Sequence, residues 1–285
     1  MSGNREYRSD VFSLLFREKS RALELYNALN GSKYDDPEQV ETVELGNGGI
    51  SLSVRSDASF ILGAELNIYE LQSTVCPNMP LRCLVYFTTI IHGRFWNRNI
   101  YGKTQFKIPT PRFVVFYNGT EDAPAQCRLK LSDAFENGVK EPELELTCQV
   151  YNINEGKNPE LLAKSPTLKG YMYLVDLVQE FEEETGYVDL AGAVELAVKQ
   201  CIRENVLKDF LQEHYAEVIK MMQWDFTFEH QLEMEHEEGR EEGRDEERLR
   251  AIQNMIRYEI SKEQILQDYS EEEYERAQAS RIAIR

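Results

Sequence analysis

The chain has 285 residues, with 50 Asp and Glu against 32 Lys and Arg and a formal net charge of −18. Hydrophobic residues at 42 % and aromatic residues at 11 % supply a substantial core and exclude a disordered chain. No apolar run approaches the ~20 residues of a membrane-spanning helix, and Met1-Ser2-Gly3-Asn4-Arg5-Glu6 lacks the apolar stretch of a secretory leader, so a cytoplasmic protein with no membrane partner is expected.

In chain order, Asp10 to Phe16 and Ala22 to Leu29 carry apolar residues at spacings of three and four, which predicts one or two amphipathic helices closed by Asn30-Gly31. Val43 and Leu45, then Ile50, Leu52 and Val54, alternate with polar residues around Gly46-Asn-Gly-Gly49 and predict a β-hairpin. Ser59–Leu62 and Glu65–Gln72 read as strands broken at Gly63, and Pro80–Ile91 as a helix with Pro in its first turn. After a polar, basic loop, Pro111–Tyr117 is a continuous apolar run ended by Asn118-Gly119, as in a buried strand. Glu143–Val150 alternates strictly and predicts a strand with one wet face. Residues 160–222 read as helical, punctuated by Gly170 and Gly186. Beyond Trp224 the composition turns to Glu, Arg and Gly, with a four-residue quasi-repeat over 235–248 that predicts a solvated helix, then an amphipathic stretch at 249–279.

This order predicts an α/β protein with one mixed sheet flanked by helices over residues 1–158, a helical subdomain over 159–223 and an acidic, Glu/Arg-rich helical tail over 224–285, a candidate surface for homo-oligomer formation. The five cysteines form no C-x-x-C pair and the four histidines no H-x-x-x-H or H-E-x-x-H pattern, which argues against a disulfide framework, a zinc ribbon or a zinc hydrolase.

Net acidity argues against nucleic-acid binding until charge is followed along the chain. Residues 71–120 hold six Lys and Arg and not one Asp or Glu. Just before and within the start of this window lie Asp57 and Glu70-Leu71-Gln72. On a strand Glu70 and Gln72 project from one face, and a hairpin would set Asp57 alongside Glu70. Two carboxylates and a nearby carbonyl such as that of Leu71 make a hard-oxygen site suited to Mg²⁺, which lowers the pKa of bound water and stabilises charge developing on a phosphate. Gln72 is placed to orient the water or hydrogen-bond the phosphate, without the charge a lysine would bring. The same spacing also fits Asp57 as a plain turn residue with Glu70 and Gln72 facing solvent. Arg82 and Tyr86 follow at i,i+4 on the next helix, and Arg94, Arg98, Lys103, Lys107 and Arg112 continue the basic window. Such residues either gather a polyanion or pair with the acidic remainder of the protein.

Asp57, Glu70-Leu-Gln72, Ser73-Thr74, Pro77-Asn-Met-Pro-Leu-Arg82, Ile108-Pro-Thr-Pro111, Phe116-Tyr-Asn-Gly119, Leu131-Ser-Asp-Ala-Phe135 and Val150-Tyr-Asn-Ile-Asn154 together resemble the PD-(D/E)XK nuclease-type transposase family, related to the recombination-promoting nucleases (Rpn/YhgA-like). The resemblance runs from about residue 8 to 222 and into the Glu-Gly-Arg tail. It implies a restriction-endonuclease-like core and a DNA endonuclease that depends on Mg²⁺ or Mn²⁺. Asp57 and Glu70 fall at the metal-binding acids, and Gln72 at the place of the motif's lysine, where this family often has Gln. Leu71 departs from the His often found there. Arg82, Tyr86, Arg94, Arg98, Lys103 and Lys107 are the expected DNA-binding residues. The alternative is a catalytically silent DNA-binding or regulatory protein on the same fold.

Overall fold

A computed structural model describes residues 7–43, 56–95, 98, 101–184, 190–222, 249–256, 258 and 260–282. The chain divides into two compact units, Met1–Asp225 and Phe226–Arg285.

The first unit opens with two helices, α1 (Tyr7–Phe16) and α2 (Lys19–Asn30). Gly31 ends α2 in the left-handed conformation at φ 65°, the stop that Asn30-Gly31 predicts. Three strands follow: β1 (Val40–Thr42), β2 (Ala58–Leu62) and β3 (Glu65–Gln72). β2 and β3 form an antiparallel hairpin with Leu62 opposite Glu65 and Ala58 opposite Tyr69. Gly63, at φ 58°, supplies the left-handed residue of its turn. The long helix α3 (Met79–Phe95) crosses back to β4 (Thr110–Tyr117), which runs parallel to β3, since two parallel neighbours need a crossover of this kind. β5 (Gln126–Lys130) and β6 (Thr147–Asn152) complete a six-stranded mixed sheet in the order β1-β2-β3-β4-β6-β5.

Both faces of the sheet are covered, which explains the apolar runs of β3 and β4. On one face Leu66, Ile68, Phe113, Val115 and Cys148 pack against Met79, Cys83, Tyr86 and Ile90 of α3. On the other an aromatic network joins the strands to the helices. Phe60, Tyr69 and Phe116 meet edge to face at 5.3 and 5.9 Å, and Phe12 of α1 lies 5.6 Å from Phe116. Phe12 also touches Tyr171 of α5 (Pro166–Glu184) at 5.9 Å. The remaining helices of this unit include α4 (Pro159–Lys164), α6 (Leu190–Arg203) and α7 (Lys208–Glu213), with a further helical stretch at 215–222.

Several elements differ from their sequence-based limits. The hairpin expected around Gly46–Gly49 falls on residues outside the described set, as does Leu45 of the strand expected at Val43–Leu45, and the strand described before them is Val40–Thr42. α3 extends beyond Pro80–Ile91 at both ends. β5 carries Arg128 and Lys130 on an exposed edge, so it gives no apolar signal. β6 starts four residues later than expected and reaches Asn152. Gly170 lies inside α5 and does not interrupt it. A Cβ there would come within 2.9 Å of the Leu207 side chain, so this glycine admits the loop after α6 against the helix. Gly186 and the quasi-repeat at 235–248 lie outside the described residues.

The second unit is helical at 249–256, Lys262–Ile265 and Glu271–Ile282. It has its own small core of Ile252, Ile265 and Ala277, flanked by Leu249, Met255, Tyr269 and Tyr274. Among the described residues, no helix is long and apolar enough to cross a membrane.

Candidate functional site

Strand alternation decides which side chains of β3 share a face. Leu66 and Ile68 point towards α3, and two residues on Glu70 does too, at the end of the strand where α3 begins. Asp57 stands one residue beyond the last paired position of β2, Ala58 opposite Tyr69, so the register sets it against Glu70. The hydrogen bonds fix that placement. The Asp57 backbone N–H donates to Glu70 Oε1 at 3.2 Å, and the Leu71 N–H donates to Asp57 Oδ2 at 2.6 Å. Gln72 Nε2 donates to the Leu71 carbonyl at 2.7 Å. Thus the two acids, the Leu71 carbonyl and the Gln72 amide converge at the C-terminal end of β3.

From the first turns of α3, Arg82 reaches the same group. Its guanidinium donates to Gln72 Oε1 at 2.9 Å and to Glu70 Oε2 at 3.3 Å. It also donates twice to the Tyr86 hydroxyl, at 2.9 and 3.1 Å, and lies over the Tyr86 ring, 5.9 Å from its centroid. Position 83, next along the helix, faces the core, where Cys83 is fully buried.

The electrostatics follow from burial. Glu70 is 1 % exposed, a poor place for a charge. Burial raises its pKa well above the ordinary carboxylate value, Asp57 raises it further, and Arg82 pulls the other way. Burial and Glu70 likewise raise the Tyr86 hydroxyl, so Tyr86 stays a neutral donor and acceptor. Burial opposes the charge on Arg82, but Tyr86 and Glu70 outweigh it and keep the guanidinium protonated.

The donor set suits a hard divalent cation. Asp57, Glu70 and the Leu71 carbonyl offer oxygens only, and a buried carboxylate gains from a second positive charge. Among the described residues there is no group of three or more His, Cys, Asp or Glu able to hold a metal. A two-carboxylate site is what Mg²⁺ uses when substrate phosphate and water complete its shell.

The other basic residues of the 71–120 window lie elsewhere. Arg94 is twelve residues beyond Arg82 on α3, ~18 Å along the helix axis. There it makes a two-pronged ion pair with Glu41, at 2.5 and 2.9 Å. Arg112 pairs with Glu65 at 2.7 Å. Arg98, Lys103 and Lys107 lie on exposed residues between α3 and β4. That segment enters β4 at Thr110, opposite Glu65, five residues and ~17 Å along β3 from Glu70. Sequence reasoning missed this division. It missed too that Arg82 engages Glu70 and Gln72, although the i,i+4 spacing of Arg82 and Tyr86 was a signal that both share a helix face.

The end of β4 also borders the site. Asn118 N–H donates to the Gln72 carbonyl at 3.0 Å, and a Cβ on Gly119 would sit 1.8 Å from the Ser73 carbonyl oxygen. Glycine is needed there because only it lets these two segments of the chain pass so closely. Fold and geometry together define a paired-carboxylate site at the C-terminal end of a parallel pair of strands. Comparison of the chain with protein-family models, curated proteins and solved structures finds no match.

Proposed function

We propose that the protein is a DNA endonuclease dependent on Mg²⁺ or Mn²⁺, which hydrolyses phosphodiester bonds at Asp57, Glu70 and Gln72. The observation that carries this reading is the interlocking of Asp57 and Glu70: the Asp57 N–H donates to the Glu70 carboxylate at 3.2 Å, and the Leu71 N–H donates to the Asp57 carboxylate at 2.6 Å. The resemblance of its motifs to those of PD-(D/E)XK nuclease-type transposases supports DNA as substrate, as does the carboxylate-free window at 71–120.

Asp57, Glu70 and the Leu71 carbonyl would hold the cation, which when bound supplies Lewis acidity and a more acidic water. The chain's own residues do the rest. The Leu71 N–H holds the Asp57 carboxylate in place. Gln72, tied to the Leu71 carbonyl and to Arg82, presents a neutral amide to the attacking water or a phosphate oxygen. Arg98, Lys103 and Lys107, on the exposed segment that enters β4 opposite the far end of β3, suit contacts with backbone phosphates away from the scissile bond, which position DNA without specifying sequence.

Purified protein with Mg²⁺ should nick or linearise plasmid DNA, and Asp57→Ala, Glu70→Ala and Gln72→Ala should each abolish this while the protein stays folded. Cleavage that survives Glu70→Ala would remove Glu70 from the mechanism.

One observation favours a second reading, a catalytically silent DNA-binding or regulatory protein. Glu70, Gln72 and Arg82 already satisfy one another by hydrogen bonds. DNA retention with no cleavage under any divalent cation would establish that reading.

A further inference from the structure

Gln72 leaves the site without a fixed positive charge on β3, yet a charge is present. Of the six basic residues in the 71–120 window, the structure brings Arg82 to the acids. Arg94 and Arg112 are engaged by Glu41 and Glu65, and Arg98, Lys103 and Lys107 lie on the segment that enters the sheet at its other end. Arg82 touches Gln72 Oε1 and Glu70 Oε2 together, and Tyr86 holds the guanidinium with two hydrogen bonds to its hydroxyl and with its ring. A guanidinium held by three side chains is a built feature. A planar fork of donors also suits two acceptors at once, which a lysine could not match.

We infer that Arg82 is the positioning residue that supplies this site with its positive charge, delivered from helix α3 because position 72 on β3 is neutral. Its guanidinium orients the Gln72 amide and faces the place where phosphate charge would gather. It also shares Glu70 with any bound cation, so it weakens cation binding while favouring the reaction. The inference rests on the nuclease reading for its role in cleavage, but not for its effect on cation binding.

The test uses the full chain and three variants, Arg82→Met, Arg82→Lys and the double variant Gln72→Lys with Arg82→Met. Mn²⁺ affinity is measured by calorimetry at fixed pH, and cleavage of a DNA duplex is followed under saturating Mn²⁺. Arg82→Met should bind Mn²⁺ about tenfold more tightly, the scale on which one nearby charge acts on a carboxylate. It should also cleave about a hundredfold more slowly, as when one oriented donor is removed from a transition state. Opposite signs separate charge from structure, because a merely structural loss would weaken both. Arg82→Lys should fall between wild type and Arg82→Met, since the charge remains and the fork is lost. The double variant, with its charge returned to β3, should regain cleavage and lose the extra affinity.

Failures of the two claims look different. A wild type that binds Mn²⁺ and cuts no DNA defeats the nuclease reading, and Arg82 is then judged on affinity alone. A wild type that cuts, with Arg82→Met binding Mn²⁺ no more tightly, overturns the inference and leaves the nuclease intact. Absence of Mn²⁺ binding in wild type and Arg82→Met alike overturns it as well. Circular dichroism of each variant guards against loss of fold.

Discussion

Glu70 concentrates the chemistry of this molecule because it is acidic, buried and placed among polar partners that burial would otherwise forbid. Its raised pKa has a thermodynamic consequence in the absence of metal. A carboxyl whose folded pKa lies above its unfolded value binds its proton more tightly when folded. Its contribution to stability is therefore fully present below the unfolded pKa and is lost as pH rises through the folded one. Metal-free wild type should lose stability as pH climbs from about 4.5, the region where an unfolded glutamic acid titrates. Glu70→Gln should flatten that fall and melt at a higher temperature than wild type at pH 8. Thermal unfolding in the presence of EDTA, from pH 4.5 to 8, reads both effects. A Glu70→Gln curve parallel to wild type would show that Glu70 is an ordinary carboxylate.

At the scale of elements, the site depends on how helices are tied to the sheet. Glu24 of α2 accepts from Ser165 Oγ at 2.7 Å and from the Thr167 N–H and Oγ at 3.0 Å, where α5 begins. A carboxylate from another helix thus caps the N-terminus of α5, where backbone N–H groups lack helical partners and the helix dipole favours negative charge. Glu24→Ala should cost ~1–3 kcal/mol, since it strands polar groups in a half-buried place, and lower the melting temperature by about 2–4 °C per kcal/mol. Scanning calorimetry checks this, and an unchanged melting temperature would mean that water replaces the carboxylate without loss.

The same scale shows what was legible in the sequence. The β2–β3 hairpin could be read because Gly63 and the flanking apolar residues are local signals, and pairing across a short turn follows from the chain itself. Asp57 and Glu70 meet for that reason. β4 announced itself by an apolar run that only a strand buried on both faces sustains. β5 could not be seen, because Arg128 and Lys130 on an edge strand look like loop residues. Gly170 misled, since a glycine that serves the packing of Leu207, 37 residues on, looks identical to one that ends a helix. The pairing of Arg94 with Glu41 across 53 residues was illegible for a similar cause: charge counts carry no information about distance.

For the whole molecule, the balance of charge governs any meeting with DNA. The net charge of −18 repels a polyanion, and three of the six basic residues at 71–120 are held in ion pairs, Arg82 with Glu70, Arg94 with Glu41 and Arg112 with Glu65. Binding should therefore be weak and salt-sensitive, resting mainly on Arg98, Lys103 and Lys107, away from Arg82 and the acids. Replacing Lys103 and Lys107 together by Gln should lower affinity for duplex DNA without regard to sequence. It should also reduce the slope of log affinity against log salt by about 0.9 for each phosphate that is no longer neutralised. Fluorescence anisotropy over a salt series with Ca²⁺ measures it, and an unchanged slope would place the DNA on another surface.

The central claim is that two converging carboxylates make this acidic protein a metal-dependent nuclease. The most direct measurement is the initial rate of duplex DNA cleavage at saturating Mg²⁺ for wild type and for Glu70→Gln, a substitution that keeps shape and removes charge. Wild type should cut, stop on addition of EDTA, and lose at least about a hundredfold in rate on Glu70→Gln, as when a charge-stabilising group is removed from a transition state. Equal rates in the two proteins, or no cutting by wild type with either Mg²⁺ or Mn²⁺, would contradict the claim.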